Sequence, residues 1–406
     1  MINIVHFADA HIGIENYGRI NPVTGLNSRL EDFLSALDYI INYSIDNNVD
    51  LVIFAGDAFK TQNPNSTQQQ AFANRIQRLN KANIATVLLI GNHDQSNRKG
   101  EAQALDIYDT LEVENVYVGN KPVVIQIKTK SGKIQVATLP HISASALLTK
   151  EQYQSKTGNE IKNIIISKIE GMINYFIAQL KPDMISLLTA HLAIDEATTG
   201  SELELMIGKG FTVPLSIIAR KEFNYIALGH IHKHQILSSN PPVVYPGSIE
   251  RVDFGEEKDP KGFVHISLDK KECNYNFIPI KTRPFFTIKL DLREIEEPMD
   301  VLLKKINNEK LEDSIVRLQY TIESERLELL KESQIWAALA PSSFAILRPI
   351  IIHENTRTRL PTLNERVSSK PLEALDQYLR WNPAYKENVD NLLEKTRFLL
   401  KELKSN

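Results

Sequence analysis

The chain has 406 residues, 42% of them hydrophobic and 24% charged, with a formal net charge of −3 and a pI near 6.4. That length exceeds one ordinary core and predicts two or three domains, and that charge balance excludes a surface coated in basic residues while leaving room for a local basic groove. A single cysteine, Cys273, excludes an intrachain disulfide and a cysteine-based zinc site and fits a reducing cytoplasm, and no apolar run is long enough to span a membrane.

Met1 to Ala8 reads as a strand, with no signal-peptide pattern before it. Asp9 to Leu26 is a long loop. Ser28 and Glu31 form a capping box for a helix whose apolar face runs from Leu30 to Ile41. Strand Leu51 to Ala55 completes a β-α-β unit. Ser66 and Gln69 cap a second helix carrying Phe72, Ile76 and Leu79, and strand Thr86 to Ile90 follows. The stretch from Gln95 to Asn120 is polar and helical in places. Val123 to Ile127 and Ile134 to Leu139 form a hairpin. Lys150 to Lys156 is an exposed loop, and Ile161 to Phe176 is an amphipathic helix ended by Pro182. Strands follow at Met184 to Thr189, Tyr225 to Leu228, Val243 to Tyr245 and Phe263 to Leu268, with a short helix at Pro214 to Lys221.

Composition shifts near Thr282. Strand-like segments at Phe285 to Leu292, Ile315 to Ile322 and Ile346 to Ile352 alternate with helices at Pro298 to Asn307 and Glu325 to Leu339, which describes a small α+β domain. A polar linker, His353 to Ser369, precedes a final helix with Val389, Leu392, Leu393, Leu399, Leu400 and Leu403 on one stripe. We expect that stripe to meet a partner helix. The expected division is 1–282, 283–353 and 354–406.

Five apolar runs each end in polar side chains able to hold a metal or move a proton: Asp9 and His11, Asp57, Asn92 with His93 and Asp94, His191, and His230 with His232. The C-terminal edge of a parallel sheet is where ligands bind, so one site built from five strand ends is expected. Asp9-x-His11 alternates, which sends both side chains to one side of an extended strand. A mixed nitrogen and oxygen set without sulfur suits manganese, iron or zinc. Seven ligands exceed the needs of one tetrahedral ion and fit two ions sharing Asp57. Two cations about 3.5–4 Å apart lower the pKa of a shared water and clamp a phosphoryl oxygen, which is phosphate-ester hydrolysis. His93, pointing away from Asn92 in an extended backbone, is the candidate to protonate the leaving oxygen, and Asp94 to orient a histidine.

In order, Asp9-x-His11, Gly56-Asp57, Gly91-Asn92-His93-Asp94, His191 and Gly229-His230-x-His232 resemble the motifs of the calcineurin-like metallophosphoesterases. The resemblance implies an α/β fold, a metallophosphoesterase β-sandwich flanked by helices. It implies one metal on Asp9, His11 and His232, a second on Asn92, His191 and His230, and Asp57 between them. Tyr245-Pro246-Gly247-Ser248-Ile249-Glu250-Arg251, Phe254-Gly255-Glu256-Glu257-Lys258 and Leu228 to His234 are similar to the SbcD family of double-strand-break repair nucleases. That narrower resemblance implies Mn2+-dependent cleavage of double-stranded DNA, a homodimer, a DNA-capping domain after Arg283, and terminal helices that bind an SbcC-like SMC-type ATPase. Many relatives carry Asp or His after Gly-Asp-x-x, where this chain has Lys60.

Lys60, Arg98, Lys99 and Arg251 are candidate phosphate contacts. His6, His141, His234, His265 and His353 read as structural. Pro246-Gly247-Ser248 is either a tight turn alone or a turn set against the substrate. Helices around Phe72 to Leu79 and Ala102 to Leu111 are the candidate dimer interface. The competing readings are a phosphatase or small-molecule phosphodiesterase on the same fold, and a non-catalytic DNA-end tether.

Overall fold

The computed structural model describes residues 1–96, 100–143, 147, 156–198, 211–352, 371–381, 385 and 388–402. Its two largest sheets have six strands each. The strands of the first are β1 (Ile2–Phe7), β2 (Leu51–Phe54), β3 (Ala85–Leu89), β4 (Val116–Gly119), β13 (Gly262–Leu268) and β14 (Cys273–Pro279), in the order β14-β13-β1-β2-β3-β4. Those of the second are β5 (Val123–Thr129), β6 (Gly132–Leu139), β7 (Ile185–His191), β10 (Tyr225–Gly229), β11 (Gln235–Ser239) and β12 (Pro242–Tyr245), in the order β11-β12-β10-β7-β6-β5. β8 (Ala193–Ile194) and β9 (Thr212–Val213) pair with each other.

Strands covered on both faces read as near-continuous apolar runs, and these do. Ile4, Ile53 and Val87 of the first sheet meet Val136, Leu187 and Ala227 of the second in the sandwich interior. The outer face of the first sheet, with Phe7 and Phe54, is covered by α1 (Ser28–Asp46) and α2 (Ser66–Lys81). The outer face of the second, with Leu188 and Leu228, is covered by Ile165, Ile169, Ile173 and Phe176 of α4 (Gly158–Gln179). His6 is a satisfied core residue: its ring nitrogens lie 3.1 Å from the Tyr225 hydroxyl and 3.2 Å from the Leu228 carbonyl.

Local signals are off by one residue in two places. Asn27, not Ser28, caps α1, accepting from Arg29 N. Asn65 with Gln68, not Ser66 with Gln69, forms the capping box of α2. In both helices the residue read as the cap is already the first helical one. The polar stretch after Gln95 carries its expected helix, α3 (Asp106–Thr110), and hides the edge strand β4; four residues are too few for alternation to stand out. α5 (Leu215–Ile218) precedes β10.

A third sheet comes from β15 (Phe285–Asp291), β16 (Ile315–Glu323) and β17 (Phe344–Ile352), in that order, interleaved with α6 (Pro298–Asn307) and α7 (Glu332–Leu339). Two helices, α8 (Pro371–Trp381) and α9 (Val389–Glu402), close the described chain. Val389, Leu392 and Leu393 pack against Leu375, Tyr378 and Leu379, so this part of the leucine stripe is used inside the helical pair. Residues 150–155 of the expected exposed loop, the linker at 353–370 and Leu403 lie outside the described residues. By backbone contacts the chain forms two units. One is Met1–Ile288 with Lys305–Leu318 and Gln334–Leu347; the other is Lys289–Lys304, Gln319–Ser333 and the chain from Arg348. No helix among the described residues is long and apolar enough to cross a membrane.

Candidate metal centre

β1, β2 and β3 are parallel neighbours, as are β7 and β10, so their C-terminal ends open on one edge of each sheet. Beyond the strands the pairing continues through the loops. Asp9 N donates to Gly56 O (2.9 Å), His11 N to Asp57 O (3.0 Å) and Ile12 N to Ala58 O (2.9 Å). The two sheets meet where His230 N donates to the Asp9 carboxylate at 3.1 Å.

The backbone is not extended here, contrary to the simple alternation argument. Asp9 (φ 54°), His11 (φ 40°), Asp57 (φ 61°) and His230 (φ 100°) all adopt positive φ. Such residues cost about 1–3 kcal/mol each and persist where surrounding bonds over-determine them, commonly at functional sites. Asn92 to Asp94 likewise form a turn rather than a strand.

Three groups place their donor atoms within 4.8 Å of one another: Asp9 with His11 and His232, Asp57 with His191 and His230, and His11 with Asp57 and His93. Asn92 joins the second, its Oδ1 lying 3.0 Å from His191 Nε2 and 2.9 Å from His230 Nδ1. All seven sequence-derived ligand candidates are thus brought together. Close approach explains two glycines. A Cβ on Gly91 would lie 2.0 Å from Asp57 Oδ1, and one on Gly56 would lie 2.3 Å from His191 Nδ1. Gly91→Ala is therefore expected to push the Asp57 carboxylate out of place. Elemental analysis of the purified variant should show fewer than the roughly two ions per chain of a dinuclear site, with the fold retained by circular dichroism.

The donor set fits cations. His191 Nδ1 faces the Ala55 carbonyl at 2.7 Å, an acceptor only, so Nδ1 carries the proton. Its Nε2 lone pair then faces Asn92 Oδ1 and, at 3.4 Å, Asp57 Oδ2. His232 Nδ1 donates to Glu256 Oε1 at 2.7 Å, which turns its Nε2 lone pair to His11 Nε2 at 2.9 Å. At 3.0 Å the Nε2 lone pair of His191 and the Asn92 Oδ1 need a proton or a cation between them. Electrostatics agree. Burial disfavours a charged His191, yet the Asp57 carboxylate outweighs it and lifts the ring to about 9. Burial opposes ionising Asp57 too, and His191 and His11 overcome it, holding that carboxyl well below the usual range. Burial lifts Asp9 to about 7 against His191 and His232. It lowers His230 to about 3. A pocket that draws a proton onto a fully buried imidazole is short of positive charge, which divalent ions supply.

His93 sits half-buried beside this cluster, its ring edge-on to His11 at 4.9 Å and its Nδ1 donating to Lys60 O at 2.8 Å. Lys60 presents an exposed side chain there. Asp94 is buried and accepts from Gly91 N, Ala58 N and Phe59 N, each at 3.1 Å. Its partners are amides, not a histidine, so it locks the Asp57 and Asn92 loops together. Arg251 gives its guanidinium to the Glu256, Asp259 and Arg283 carbonyls and the Thr282 hydroxyl, anchoring its own segment rather than facing solvent. Arg98 and Lys99 lie outside the described residues.

Pro246-Gly247-Ser248 packs behind His232: Ser248 is fully buried and its N–H donates to the His232 carbonyl at 3.0 Å. That carbonyl also accepts from Lys261 Nζ at 3.1 Å, and Lys261 pairs with Glu256 at 2.7 Å. Sequence reading missed both as supports of the site: Glu256 stood only within the Phe254 to Lys258 motif of the repair-nuclease resemblance, and no local signal marks Lys261. His234 stacks on Phe277 at 4.1 Å, and His265 lies 2.8 Å from the Tyr43 hydroxyl, both within the packing.

A two-sheet α/β sandwich with carboxylate, amide and imidazole donors converging at its strand ends defines a metal-dependent hydrolase. The chain belongs to the calcineurin-like phosphoesterase family, whose model matches residues 2–234, and it is a phosphodiester hydrolase. It is 26% identical over 316 residues to the DNA double-strand break repair protein Mre11 of Thermoplasma acidophilum, covering 75% of this chain and 74% of that one. Among solved structures, a dimetal phosphatase from Danio rerio matches with a TM-score of 0.41 and 10% identity over 68% of this chain and 95% of its own. A Thermus thermophilus protein matches with a TM-score of 0.35 and 11% identity over 68% of this chain and 98% of its own.

Proposed function

We propose that this chain is a double-strand-break repair nuclease of the SbcD type, hydrolysing DNA phosphodiesters with two divalent ions, most fittingly Mn2+. The observation that carries this reading is the likeness to the Mre11 repair protein over three quarters of both chains, well past the residues of the family domain. Asp9, His11 and His232 would hold one ion, Asn92, His191 and His230 the other, and Asp57 would be shared. Bound ions supply an activated water and charge stabilisation at the phosphoryl group. The chain's own work is to fix these donors. Asp94 ties their loops, and the Ala55 carbonyl and Glu256 set the tautomers of His191 and His232. His93, with Nδ1 held by Lys60 O, directs Nε2 away from that carbonyl to deliver a proton to the leaving oxygen. Exposed Lys60 beside it would meet a neighbouring phosphate.

The same reading gives residues 1–282 as the catalytic core, 283–353 as a DNA-capping domain and the terminal helices as the seat of an SbcC-like ATPase, in a cytoplasmic homodimer joined through α2 and α3. The test is cleavage of end-labelled linear duplex DNA by the purified chain in manganese, beside a phosphoprotein and an aryl phosphodiester, repeated with the ATPase and ATP. Manganese-dependent cutting of the duplex is expected. Turnover of the small ester or phosphoprotein alone would replace the reading by a phosphatase or small-molecule phosphodiesterase. Metal and DNA binding without cleavage under every condition would replace it by a tether.

A further inference from the structure

His141 looks, in the sequence, like an isolated structural histidine. The fold puts it elsewhere. β6 runs parallel to β7, with Leu139 opposite Ala190, so the chain leaves β6 at the same edge where His191 ends β7. Pro140 and His141 follow at once. The His141 N–H donates to Ile90 O at 2.9 Å, and its carbonyl accepts from Gln95 Nε2 at 3.3 Å. Those partners flank Gly91 to Asp94, so the backbone of His141 is tied on both sides to the loop that carries Asn92 and His93.

Its ring lies 6.4 Å from that of His191, nearly perpendicular, and 6.5 Å from that of His230, nearly parallel at 28°. It belongs to none of the ligand groups whose donor atoms lie within 4.8 Å of one another. It is not a core residue either, being half-buried. Its hydrogen bonding sets it apart most clearly. Among the described residues, every other histidine has a ring nitrogen 2.7–3.2 Å from a protein partner. Neither ring nitrogen of His141 has such a partner among the described residues. A structural histidine spends at least one nitrogen on the fold, as His6, His234 and His265 do. One held by its backbone, set beside two candidate ligands and with neither nitrogen bonded among the described residues is placed to meet something that enters the site. His93 flanks the His11 side of the centre at 4.9 Å; His141 flanks the His191–His230 side.

We propose that His141 is a second substrate-contacting histidine, donating a hydrogen bond from its imidazole to a non-bridging oxygen of the scissile phosphodiester on the His191–His230 side. The contact needs phosphodiester hydrolysis only; that the diester is DNA rests on the function proposed above. The test pairs His141→Ala with His141→Asn, whose amide can still donate. Each is assayed on linear duplex DNA and on an aryl phosphodiester, with metal content and calorimetric binding of inorganic phosphate to the manganese-loaded protein. A hydrogen bond to a charged oxygen contributes enough that the alanine change should lower kcat/KM roughly ten- to a hundredfold. Phosphate binding should weaken in parallel, metal content should not change, and asparagine should recover part of the loss. A kcat/KM within about twofold of the parent overturns the proposal. So does loss of metal, which would make His141 a support for the ions. If the parent cuts the aryl diester and leaves DNA intact, the DNA reading fails while the His141 comparison still stands on the aryl substrate. Should the alanine protein not fold, the asparagine variant and its phosphate affinity decide the matter. An asparagine protein whose phosphate binding stays within about tenfold of the parent's supports a donor at this position. A hundredfold loss in it would show that imidazole chemistry beyond donation is required, and would overturn the hydrogen-bond role.

Discussion

With His93 changed to alanine, the purified chain is expected to keep its metal ions and to lose about 10²- to 10⁴-fold in kcat on DNA, the span typical of removing a general acid. The geometry separates this from a loss of metal. What His93 contributes to the shared carboxylate is its backbone: the N–H donates to Asp57 Oδ1 at 2.9 Å, and an alanine there makes the same bond. The ring is fixed by one bond, Nδ1 to Lys60 O, and by edge contact with His11. Its removal leaves Asp9, His11 and His232 in place. The leaving group provides a sharper control. A sugar alkoxide needs a proton as it departs, whereas an aryl oxide with a low pKa does not. The loss should therefore be large on duplex DNA and much smaller on an aryl phosphodiester bearing a nitrophenol. His93 donor atoms also lie within 4.8 Å of those of His11 and Asp57, so a rival role as a ligand has a definite signature. Equal losses on both substrates with one ion missing would assign His93 to the metal and remove it as the acid.

The candidate metal centre was legible because its chemistry is carried by residue type and position at strand ends. A buried strand is an apolar run, and polar side chains at five such ends announce themselves without knowledge of how the strands pair. Bond geometry was not legible. Asp9 and His11 converge through positive φ rather than alternation, since the loops after β1 and β2 hydrogen-bond into each other. Nor can sequence tell what a polar side chain faces. Arg251 resembled a phosphate contact, but its guanidinium closes on carbonyls of its own segment and on Thr282. His141 resembled packing because its neighbours, His191 and His230, are distant in the chain and arrive only through β7 and β10. The edge strand β4 escaped because four residues between polar turns carry too little periodicity.

Glu256 is the strongest case of a residue whose role exists only in the fold, and its replacement is expected to have the largest effect on stability. It is fully buried, as is Lys261 at 1% exposure. One carboxylate oxygen accepts from His232 Nδ1 at 2.7 Å. The other accepts from Val252 N at 2.9 Å and pairs with Lys261 Nζ at 2.7 Å. Burial works against ionising Glu256, and Lys261 and His232 prevail, holding its carboxyl far below the usual range. Glu256→Ala leaves the Lys261 ammonium buried with only the His232 carbonyl and Ser248 hydroxyl as partners. Breaking a buried pair in this way costs about 3–5 kcal/mol, read as a fall in the denaturant midpoint. The paired change Glu256→Leu with Lys261→Met removes both charges and should regain most of that stability. It should not regain the metal site, because His232 would still lack its carboxylate, a class of support whose loss typically costs about 10- to 100-fold in metal affinity. The pH dependence has a fixed sign. A carboxyl depressed in the folded state contributes stability above its unfolded value and loses it as pH falls through the folded one. The parent should therefore lose stability towards acid more steeply than the Leu–Met pair does. Recovery of both stability and metal affinity in the double variant would show that the ion pair, and not the hold on His232, is what Glu256 provides.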